Sequence, residues 1–463
     1  MTNPRSRLGF VTTSFPRYTG DFAGNFVYHM AEAFADAGYD IDVVVPEAPP
    51  IPNTQLPPVS IEGVAKTEKN VIPAKAGVQR TPDSQYFLDS RLRGNDCFVP
   101  FAATSIAERG QGNDEWLQVH RVRYMFPPTL QKLCFADGTP ENLKRHPLLA
   151  GLAIPLISRM WQRIEQLSPR WDAVVSHWLL PSALIAPRVP DFSIPHIAIA
   201  HSGDVHLLGR LFGKSVLSAT IARRCDAINF VSRQLKEEFM DCLPAHVRLP
   251  CAMHVTPMGI PPISCTLSRD AARRQLGLTD FTVLFVGRLS SIKGITYLID
   301  ALENFSGTLI VAGDGESRPQ LENKCRQKNI CARFVGTVPT RERDLLFRAA
   351  DVLVLPSIQL ADGRHEGAPA VIAEAMQAGI PVIATRTGGI PERIQHMQNG
   401  LLVPGGSADA IRESIEFIQE NKEYTHRLTT AGKRHIKHLR WNLLIRTFID
   451  MLDEAREQLP RRH

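Results

Sequence analysis

Residues 8–45, LGFVTTSFPRYTGDFAGNFVYHMAEAFADAGYDIDVVV, indicate the architecture of the whole chain. They begin with a short β-like run, Leu8 to Thr13, which continues into a polar loop that contains glycine. A helical pattern from Phe26 to Ala37 follows and ends at Gly38, and Ile41 to Val45 is a second β-branched run. Strand, glycine loop, helix and strand in this order are typical of the opening of a doubly wound parallel sheet.

The same alternation returns in the second half of the chain. Pro257 to Pro262 is interpreted as a linker, after which Phe281 to Val286 is predicted as a strand and Ile295 to Leu302 as a helix. Because 463 residues are too many for one compact core, two domains are expected. We predict an α/β protein in which two Rossmann-like doubly wound domains face each other across a cleft, with ligands at the carboxyl ends of the strands.

Breaks in this pattern give the expected domain boundaries, which are 1–262, 263–440 and a C-terminal helical segment over 441–463. Periodicity is lost over about 46–115, where prolines cluster. Within that stretch, residues 71–96 resemble the translated palindromic repeats that are inserted in some bacterial genomes. We expect a poorly ordered surface insertion without chemistry, since loop closure costs grow slowly with length. An acceptor-binding lid is the alternative.

Bulk composition is that of an ordinary globular protein, with 44% hydrophobic residues, 22% charged residues and a net charge of +6. No run of Lys and Arg is interleaved with aromatic residues, so nucleic acid is not expected as a partner. The eight cysteines contain no C-x-x-C pair, which is typical of reduced cytoplasmic thiols. No segment is predicted as a signal peptide or a membrane-spanning helix, so we expect a soluble, cytoplasmic protein.

One apolar stretch leaves two alternatives open. Residues 147–160 are flanked by Arg145, Arg159 and Arg163. This pattern fits peripheral contact with the inner membrane, and it also fits a plain surface helix packed on its own domain.

The strongest chemical signal is EGAPAVIAE, residues 366–374. Glu366 is predicted in a loop just before a helix, and Glu374 about one turn inside that helix. The amides of Gly367 and Ala368 then point out of the helix N-terminus, where unpaired donors and the helix dipole bind anions. A phosphate bound there brings a sugar near Glu366 and a ribose near Glu374. Because the neighbours of Glu374 are apolar, its carboxylate needs a partner.

A second signal is GRLSSIKG, residues 287–294, directly after a predicted strand. Arg288 and Lys293 lie where cations can reach a diphosphate and neutralise the charge that develops on a leaving group. Two exposed surface cations are the alternative. The pattern DID at residues 40–42 is interpreted as structural, so no metal site is predicted.

Weaker signals lie in the first domain. His201 and Asp204 belong to the cluster HSGD, which follows a predicted strand, and His177 follows another. A His at the carboxyl end of a strand faces the cleft, although a purely structural His fits equally well. Gly20 and Gly24 flank the first strand-to-helix turn, where glycine lets the backbone approach a phosphate.

Together these features resemble glycosyltransferase family 4, the retaining transferases of the GT-B fold. Further motifs similar to the family's second domain are AGDGE (312–316), FVGTV (334–338), AADVLVLPS (349–357), TGGIPE (387–392) and NGLLVP (399–404). SHWLLP (176–181) and LQKLCFADGTPENL (130–143) resemble a branch that builds bacterial surface polysaccharides. The resemblance covers about 8–46 and 115–440, and the chain departs from that branch at Asp137-Gly138, where glycines are usual, and through its insertion.

The resemblance implies transfer of a hexose, with retention of configuration, from a nucleotide-diphosphate sugar to a glycan or lipid-linked acceptor, in lipopolysaccharide or exopolysaccharide synthesis. It implies no cofactor and no metal. The donor-side roles that it implies are Arg288 and Lys293 on the diphosphate, Glu366 on the sugar and Glu374 on the ribose. His201 then lies at the reacting face, Gly24 admits the diphosphate from the first domain, and the C-terminal helix crosses back to that domain. His177 and Asp204 are candidates for the acceptor side of the cleft.

Two other functions remain open on the sequence. One is a GT-B-fold nucleotide-sugar epimerase, and the other is a catalytically inactive GT-B-like partner subunit, which an insertion-damaged gene could produce. The complete set of donor-side residues favours the transferase over both.

Overall fold

The computed structural model describes residues 5–17, 21, 23–49, 116–135, 139–186, 194–244 and 251–458. The predictions on the 71–96 repeat, on most of the insertion, on Gly20 and on Asp137-Gly138 therefore lie outside the described residues. The described chain forms two parallel sheets with flanking helices, which confirms the predicted α/β class. The half with the first sheet is called the first domain below, and the half with the second sheet the second domain.

Among the described residues, the first sheet has seven parallel strands. In chain order they are β1 (Arg7–Val11), β2 (Asp40–Pro46), β3 (Leu117–Val122), β4 (Ala173–His177), β5 (His196–Ala200), β6 (Ala227–Phe230) and β7 (Ala252–Val255). Their spatial order is β3-β2-β1-β4-β5-β6-β7. Phe10 in β1 and Val43 in β2 are fully buried, as expected of parallel strands covered on both faces.

Helices cover both faces of this sheet. They are α1 (Asn25–Asp36), α2 (Thr139–Arg145), α3 (Ala153–Leu167), α4 (Ser202–Arg210), α5 (Lys214–Arg224) and α6 (Arg233–Met240). In α1 the buried residues Val27, Met30, Ala31 and Phe34 follow the 3, 4 and 7 spacing of one helix face. The sequence pattern predicts α1 for this reason.

The second domain repeats the architecture. Within the chain segments that the structure describes, its strands are β8 (Thr282–Val286), β9 (Thr308–Ala312), β10 (Ala332–Gly336), β11 (Val352–Leu355), β12 (Val382–Thr385) and β13 (Leu401–Val403). All pairs are parallel, in the order β10-β9-β8-β11-β12-β13. The helices are α7 (Arg269–Leu276), α8 (Ile295–Ala301), α9 (Arg318–Gln327), α10 (Thr340–Ala349), α11 (Ala370–Ala378), α12 (Ala408–Glu420) and α13 (Lys422–His435).

The last helix, α14 (Trp441–Gln458), packs on the first domain. Its residues Trp441 and Phe448 belong to the buried cluster that also holds β1, β5 and α1. The amide of Ile260 donates to the carbonyl oxygen of Leu439 at 2.9 Å. A Cβ on Gly259 would lie 2.4 Å from the Trp441 ring, so only glycine allows this approach. The chain therefore passes between the two domains at two places, near Ile260 and near Leu439, and these two segments lie side by side.

Some elements differ from the sequence prediction. The apolar stretch over 147–160, for which a surface helix was one alternative, is divided into a 3-10 turn, Pro147–Leu152, and α3, which continues to Leu167. Pro147 opens that turn. The short edge strands β7 and β13 have no counterpart among the predicted strands. In the described part of the chain, no helix is both long and apolar enough to cross a membrane.

Candidate active site

The loop after β8 brings a predicted cation to a predicted carboxylate. Lys293 Nζ lies 2.7 Å from Glu366 Oε1, and only 16% and 13% of the two side chains are exposed. Gly294 ends the loop with φ +59°, and a Cβ there would lie 2.1 Å from the carbonyl oxygen of Pro356. Glycine thus allows the loop to pack on the end of β11. Arg288, half-buried, lies on the same loop.

Glycines also hold the Glu366 loop in place. Gly388 has φ +55°, and a Cβ on it would lie 1.8 Å from the Glu366 carbonyl oxygen. A Cβ on Gly389 would lie 2.0 Å from the Gly367 carbonyl oxygen. On the other side, a Cβ on Gly367 would lie 3.2 Å from Ser202 Cβ in the first domain. The loop is therefore enclosed between TGGIPE and α4.

The loop leads directly into the N-terminus of α11. Pro369 is the N-cap residue, and the helix begins at Ala370, as the prediction of a loop at Glu366 and a helix at Glu374 requires. Gly367 and Ala368 precede that cap, at the positive end of the helix dipole. Unpaired amides of the first helical turn and Lys293 together make this edge of the second sheet attractive to an anion.

Glu374 has the partner that its apolar surroundings require. It is the fifth residue of α11 and is 9% exposed. Arg343 of α10 donates to Glu374 Oε1 at 3.0 Å. Sequence reasoning missed Arg343, because it lies in an ordinary charged helix, TRERDLLFRA, and no motif marks it.

His201 lies at the end of β5, where its ring is surrounded by aromatic side chains. Ring centroids of Phe26 and Trp178 lie 4.8 and 5.1 Å from its own. His177 stacks on it at 5.6 Å, with His177 Nδ1 3.3 Å from His201 Nε2. This enclosure lowers the pKa of His201 to about 3. The imidazole is therefore neutral at physiological pH and offers hydrogen bonds but no positive charge.

Asp204 and His177 support His201 from inside the first domain. Asp204 accepts backbone hydrogen bonds from His201 at 2.9 Å, Val205 at 3.0 Å and Leu179 at 2.6 Å. Burial raises the pKa of Asp204 to about 7, although these amide donors oppose the shift. Asp204 is 3% exposed and His177 is fully buried. Neither side chain therefore offers an exposed surface to an acceptor, in contrast to the cleft-facing position considered for them.

Gly24 opens α1 with φ +73°. A Cβ at this position would lie 2.4 Å from the carbonyl oxygen of Ser14. The glycine therefore lets the first loop fold back on itself at the carboxyl end of β1. Its predicted approach to a diphosphate stays a prediction.

The sequence patterns did not predict the contacts between the two domains. The carboxylate of Glu392, in the second domain, accepts from the amides of Arg233 at 2.9 Å and Gln234 at 3.2 Å, which start α6. Arg210 NH2 lies 3.2 Å from Asp362 Oδ1. Glu392 belongs to the TGGIPE motif, but only the tertiary structure shows that it caps a helix of the other domain.

The geometry gathers a cation, a carboxylate and a helix N-terminus at the carboxyl edge of the second sheet, with His201 at the carboxyl end of β5 in the first. Carboxyl ends of strands are where ligands bind in open parallel sheets. A diphosphate matches the positive side of this site, and the carboxylates of Glu366 and Glu374 match sugar hydroxyls. Such an arrangement can bind a diphosphate group beside hydroxyl groups and stabilise negative charge on it.

Known proteins that this chain resembles are glycosyltransferases. Residues 268–435 match the family model described as glycosyl transferases group 1. TuaC of Bacillus subtilis, a glycosyltransferase assigned to teichuronic acid biosynthesis, is 30% identical over 302 residues, which cover 61% of this chain and 69% of TuaC. The GDP-mannose-dependent alpha-(1-6)-phosphatidylinositol monomannoside mannosyltransferase of Mycobacterium tuberculosis is 27% identical over 339 residues, or 68% of this chain and 84% of that protein.

A solved structure shares the fold across nearly the whole chain. Sucrose-phosphate synthase from Thermosynechococcus elongatus superposes with a TM-score of 0.68 at 18% sequence identity. The alignment covers 97% of this chain and 99% of that one. The two-domain arrangement is therefore that of known GT-B glycosyltransferases.

Proposed function

The chain belongs to the group 1 glycosyltransferases, and we propose that it transfers a hexose, with retention of configuration, from a nucleotide-diphosphate sugar to a glycan or lipid-linked acceptor. The proposed setting is lipopolysaccharide or exopolysaccharide synthesis at the cytoplasmic face of the inner membrane. The observation that carries this proposal is the Lys293–Glu366 pair at the N-terminus of α11. The names of TuaC and of the mannosyltransferase support the acceptor classes.

On the donor side, we propose that Arg288, Lys293 and the amides around Gly367 and Ala368 bind the diphosphate. Glu366 contacts the sugar and Glu374 the ribose hydroxyls. Positive charge from these side chains and from the helix dipole takes the place of a metal at the diphosphate. No metal or organic cofactor is required for the transfer itself.

In the proposed reaction, an acceptor hydroxyl bonds to the anomeric carbon on the face that the nucleotide leaves. The bond from that carbon to the phosphate oxygen breaks, and the diphosphate keeps the electron pair. A pKa of about 3 makes His201 a poor proton acceptor, which supports transfer of the hydroxyl proton to the departing phosphate. His201 then contacts the reacting sugar as a hydrogen-bonding group. The proposal requires a product with the anomeric configuration of the donor.

Donor binding tests the proposal first. Calorimetry and thermal melting with UDP-, GDP- and ADP-sugars are expected to find binding by one nucleotide class. At a ligand concentration of one hundred times Kd, binding adds about 2.7 kcal/mol to the free energy of unfolding. Glu374→Ala is expected to weaken Kd by about 10- to 100-fold, because a hydrogen bond to a charged group is lost.

Two further variants control this experiment. In Glu374→Gln the side-chain oxygen can still accept the hydrogen bond from Arg343, so the fold is expected to be kept. This variant therefore separates an effect on donor binding from an effect on folding. Glu413→Ala removes an exposed carboxylate of α12 and is expected to bind the donor normally. A folded protein that binds none of the three nucleotide classes would overturn the transferase proposal and favour an inactive partner subunit.

On the acceptor side, we further propose that α3 and the turn before it contact the membrane. Leu148, Ile154 and Trp161, on and just before α3, are 94%, 76% and 47% exposed. Arg159 lies among them with an exposed side chain. Arg145, the third cation that the sequence suggests, instead pairs with Glu316 of the second domain. An exposed apolar row with neighbouring cations is the pattern of a helix that lies in a membrane interface.

The double variant Ile154→Ser/Trp161→Ser is expected to lower binding to vesicles of phosphatidylcholine and phosphatidylglycerol by at least about tenfold. Each lost apolar side chain removes roughly 1.5–3 kcal/mol when it is fully buried, and tenfold corresponds to about 1.4 kcal/mol. Vesicle co-sedimentation measures the effect. The matched control is Val216→Ser, a 73% exposed apolar residue on α5. Equal binding by the double variant and the wild type would contradict the membrane role of α3.

A further inference from the structure

Three potential metal ligands from both domains meet beside the Glu366 loop. They are His206 of α4, Glu238 of α6 and His365, and their ligand atoms all lie within 4.8 Å of one another. His206 Nδ1 is 3.4 Å from Glu238 Oε2, and His365 Nε2 is 2.5 Å from Glu238 Oε1. The two imidazole rings are perpendicular, with centroids 4.6 Å apart. The cluster shares no residue with the proposed diphosphate site described above.

The hydrogen-bond geometry around His365 calls for a positive centre. His365 Nδ1 lies 2.8 Å from the carbonyl oxygen of Glu366, which can only accept, so Nδ1 carries the proton. In the neutral ring Nε2 then presents its lone pair to Glu238 Oε1, which is also an acceptor. Either a proton on Nε2 or a metal ion bound between the two atoms removes the repulsion between these lone pairs.

We propose that His206, Glu238 and His365 bind one divalent metal ion of the zinc class. Two imidazoles and one carboxylate are a donor set that Zn²⁺ favours, with water as the fourth ligand. The hydrogen bond from His365 Nδ1 to the Glu366 carbonyl is the outer contact that orients a ligating His. Gln234 Nε2 donates to Glu238 Oε1 at 3.0 Å and lies 2.8 Å from His365 Nε2, so this amide has to turn away from Nε2 when an ion binds there.

The distances and burial suit such an ion. With bonds of about 2.1 Å, tetrahedral ligand atoms lie about 3.4 Å apart. The His206–Glu238 separation of 3.4 Å has this value, and the His365–Glu238 separation of 2.5 Å lengthens by about 1 Å on binding. His365 is 2% exposed, whereas the Glu238 side chain is 29% exposed, so an ion enters from the Glu238 side. Arg210, a neighbouring cation, is neutralised by Asp362 at 3.2 Å.

The site is complete only where the two domains meet, because His206 and Glu238 come from the first and His365 from the second. His365 directly precedes Glu366 in the chain. A bound ion therefore fixes the loop that carries Glu366 against α4 and α6. The ion acts through position and takes no part in the transfer step.

Metal titration of the full chain tests this inference. Protein stripped with a chelator is titrated with Zn²⁺ by calorimetry and with Co²⁺ by visible absorption. One equivalent is expected, with the intense Co²⁺ bands of tetrahedral coordination. Each of His206→Gln, Glu238→Gln and His365→Gln is expected to weaken Kd by at least about tenfold, since even outer contacts to ligands cost 10- to 100-fold.

His29→Gln is the matched control, because His29 Nδ1 lies 3.3 Å from Glu32 Oε2 and forms the same kind of pair, outside the three-ligand cluster. It is expected to leave Kd unchanged. If the buried His365→Gln variant does not fold by circular dichroism, the other two ligand variants decide the result. Absence of a stoichiometric metal, octahedral Co²⁺ bands, or an equal Kd in all variants would overturn the inference and leave an imidazolium–carboxylate pair.

Discussion

Lys293→Gln is expected to lower kcat/KM for sugar transfer by about 10²- to 10³-fold. The Lys293 ammonium is held by Glu366 at 2.7 Å and is mostly buried, so its charge is little screened by water. In the proposed reaction that charge faces the departing diphosphate, and removal of one such stabilising donor costs about 2.7–4 kcal/mol of transition-state stabilisation. Steady-state kinetics with the donor found by calorimetry measures the loss.

The matched control for this experiment is Lys324→Gln. Lys324 Nζ also pairs with a carboxylate of the second domain, Asp300, at 2.6 Å, but on the helices α8 and α9. A change below about twofold in kcat/KM is expected there, because this pair lies on helices away from the proposed diphosphate site. Thermal melting shows whether Lys293→Gln remains folded. A folded Lys293→Gln enzyme with more than half of the wild-type kcat/KM would show that the diphosphate binds elsewhere.

Gly388→Ala is expected to lower the free energy of unfolding by about 3 kcal/mol or more. The new Cβ would lie 1.8 Å from the Glu366 carbonyl oxygen, so backbone must move. Overpacking of this kind costs about 1–3 kcal/mol, and the left-handed φ of +55° adds about 1–2 kcal/mol for a residue with a Cβ. Denaturant unfolding measures the change, and donor affinity is expected to fall with it because Glu366 is displaced.

The variant Gly363→Ala separates the cost of the close Cβ contact from the cost of the left-handed backbone. Gly363 also has a left-handed φ, +83°, but no atom of the described chain lies within 4 Å of the Cβ position. Only the backbone term of about 1–2 kcal/mol is expected for this variant. Equal losses in the two variants would mean that the close contact between Gly388 and the Glu366 loop contributes nothing.

Much of the fold could be predicted from local sequence patterns. α1 is recognisable because Val27, Met30, Ala31 and Phe34 repeat along one helix face, and β2 because its β-branched residues are buried on both faces. The edge strands β7 and β13 could not be predicted. β7 pairs with β6 and β13 pairs with β12, and only this pairing identifies the two segments as strands.

The sequence motifs predicted which residues form the candidate site, but they did not predict which side chains contact each other there. Lys293 and Glu366 lie in two motifs that are far apart in the chain, and nothing in either motif indicates the 2.7 Å contact between them. Arg343, the partner of Glu374, lies in a helix without a motif. Asp204 was expected near the acceptor, but its carboxylate binds backbone amides inside the first domain. Spacing along a chain does not report such partners, because folding brings distant segments together.

The sequence by itself determined the alternation of strands and helices, the glycine-bearing loops at the carboxyl ends of strands, and the resemblance to a transferase family. These are local properties, set by periodicity over a few residues and by short motifs. Only the tertiary structure decided that Lys293 pairs with Glu366, that Glu392 caps α6 across the domains, and that His206, Glu238 and His365 meet. The reason is physical: these contacts join residues far apart in the chain, which come within hydrogen-bond distance only when loops of one sheet pack together, as for Lys293 and Glu366, or when the two domains meet, as for the other contacts.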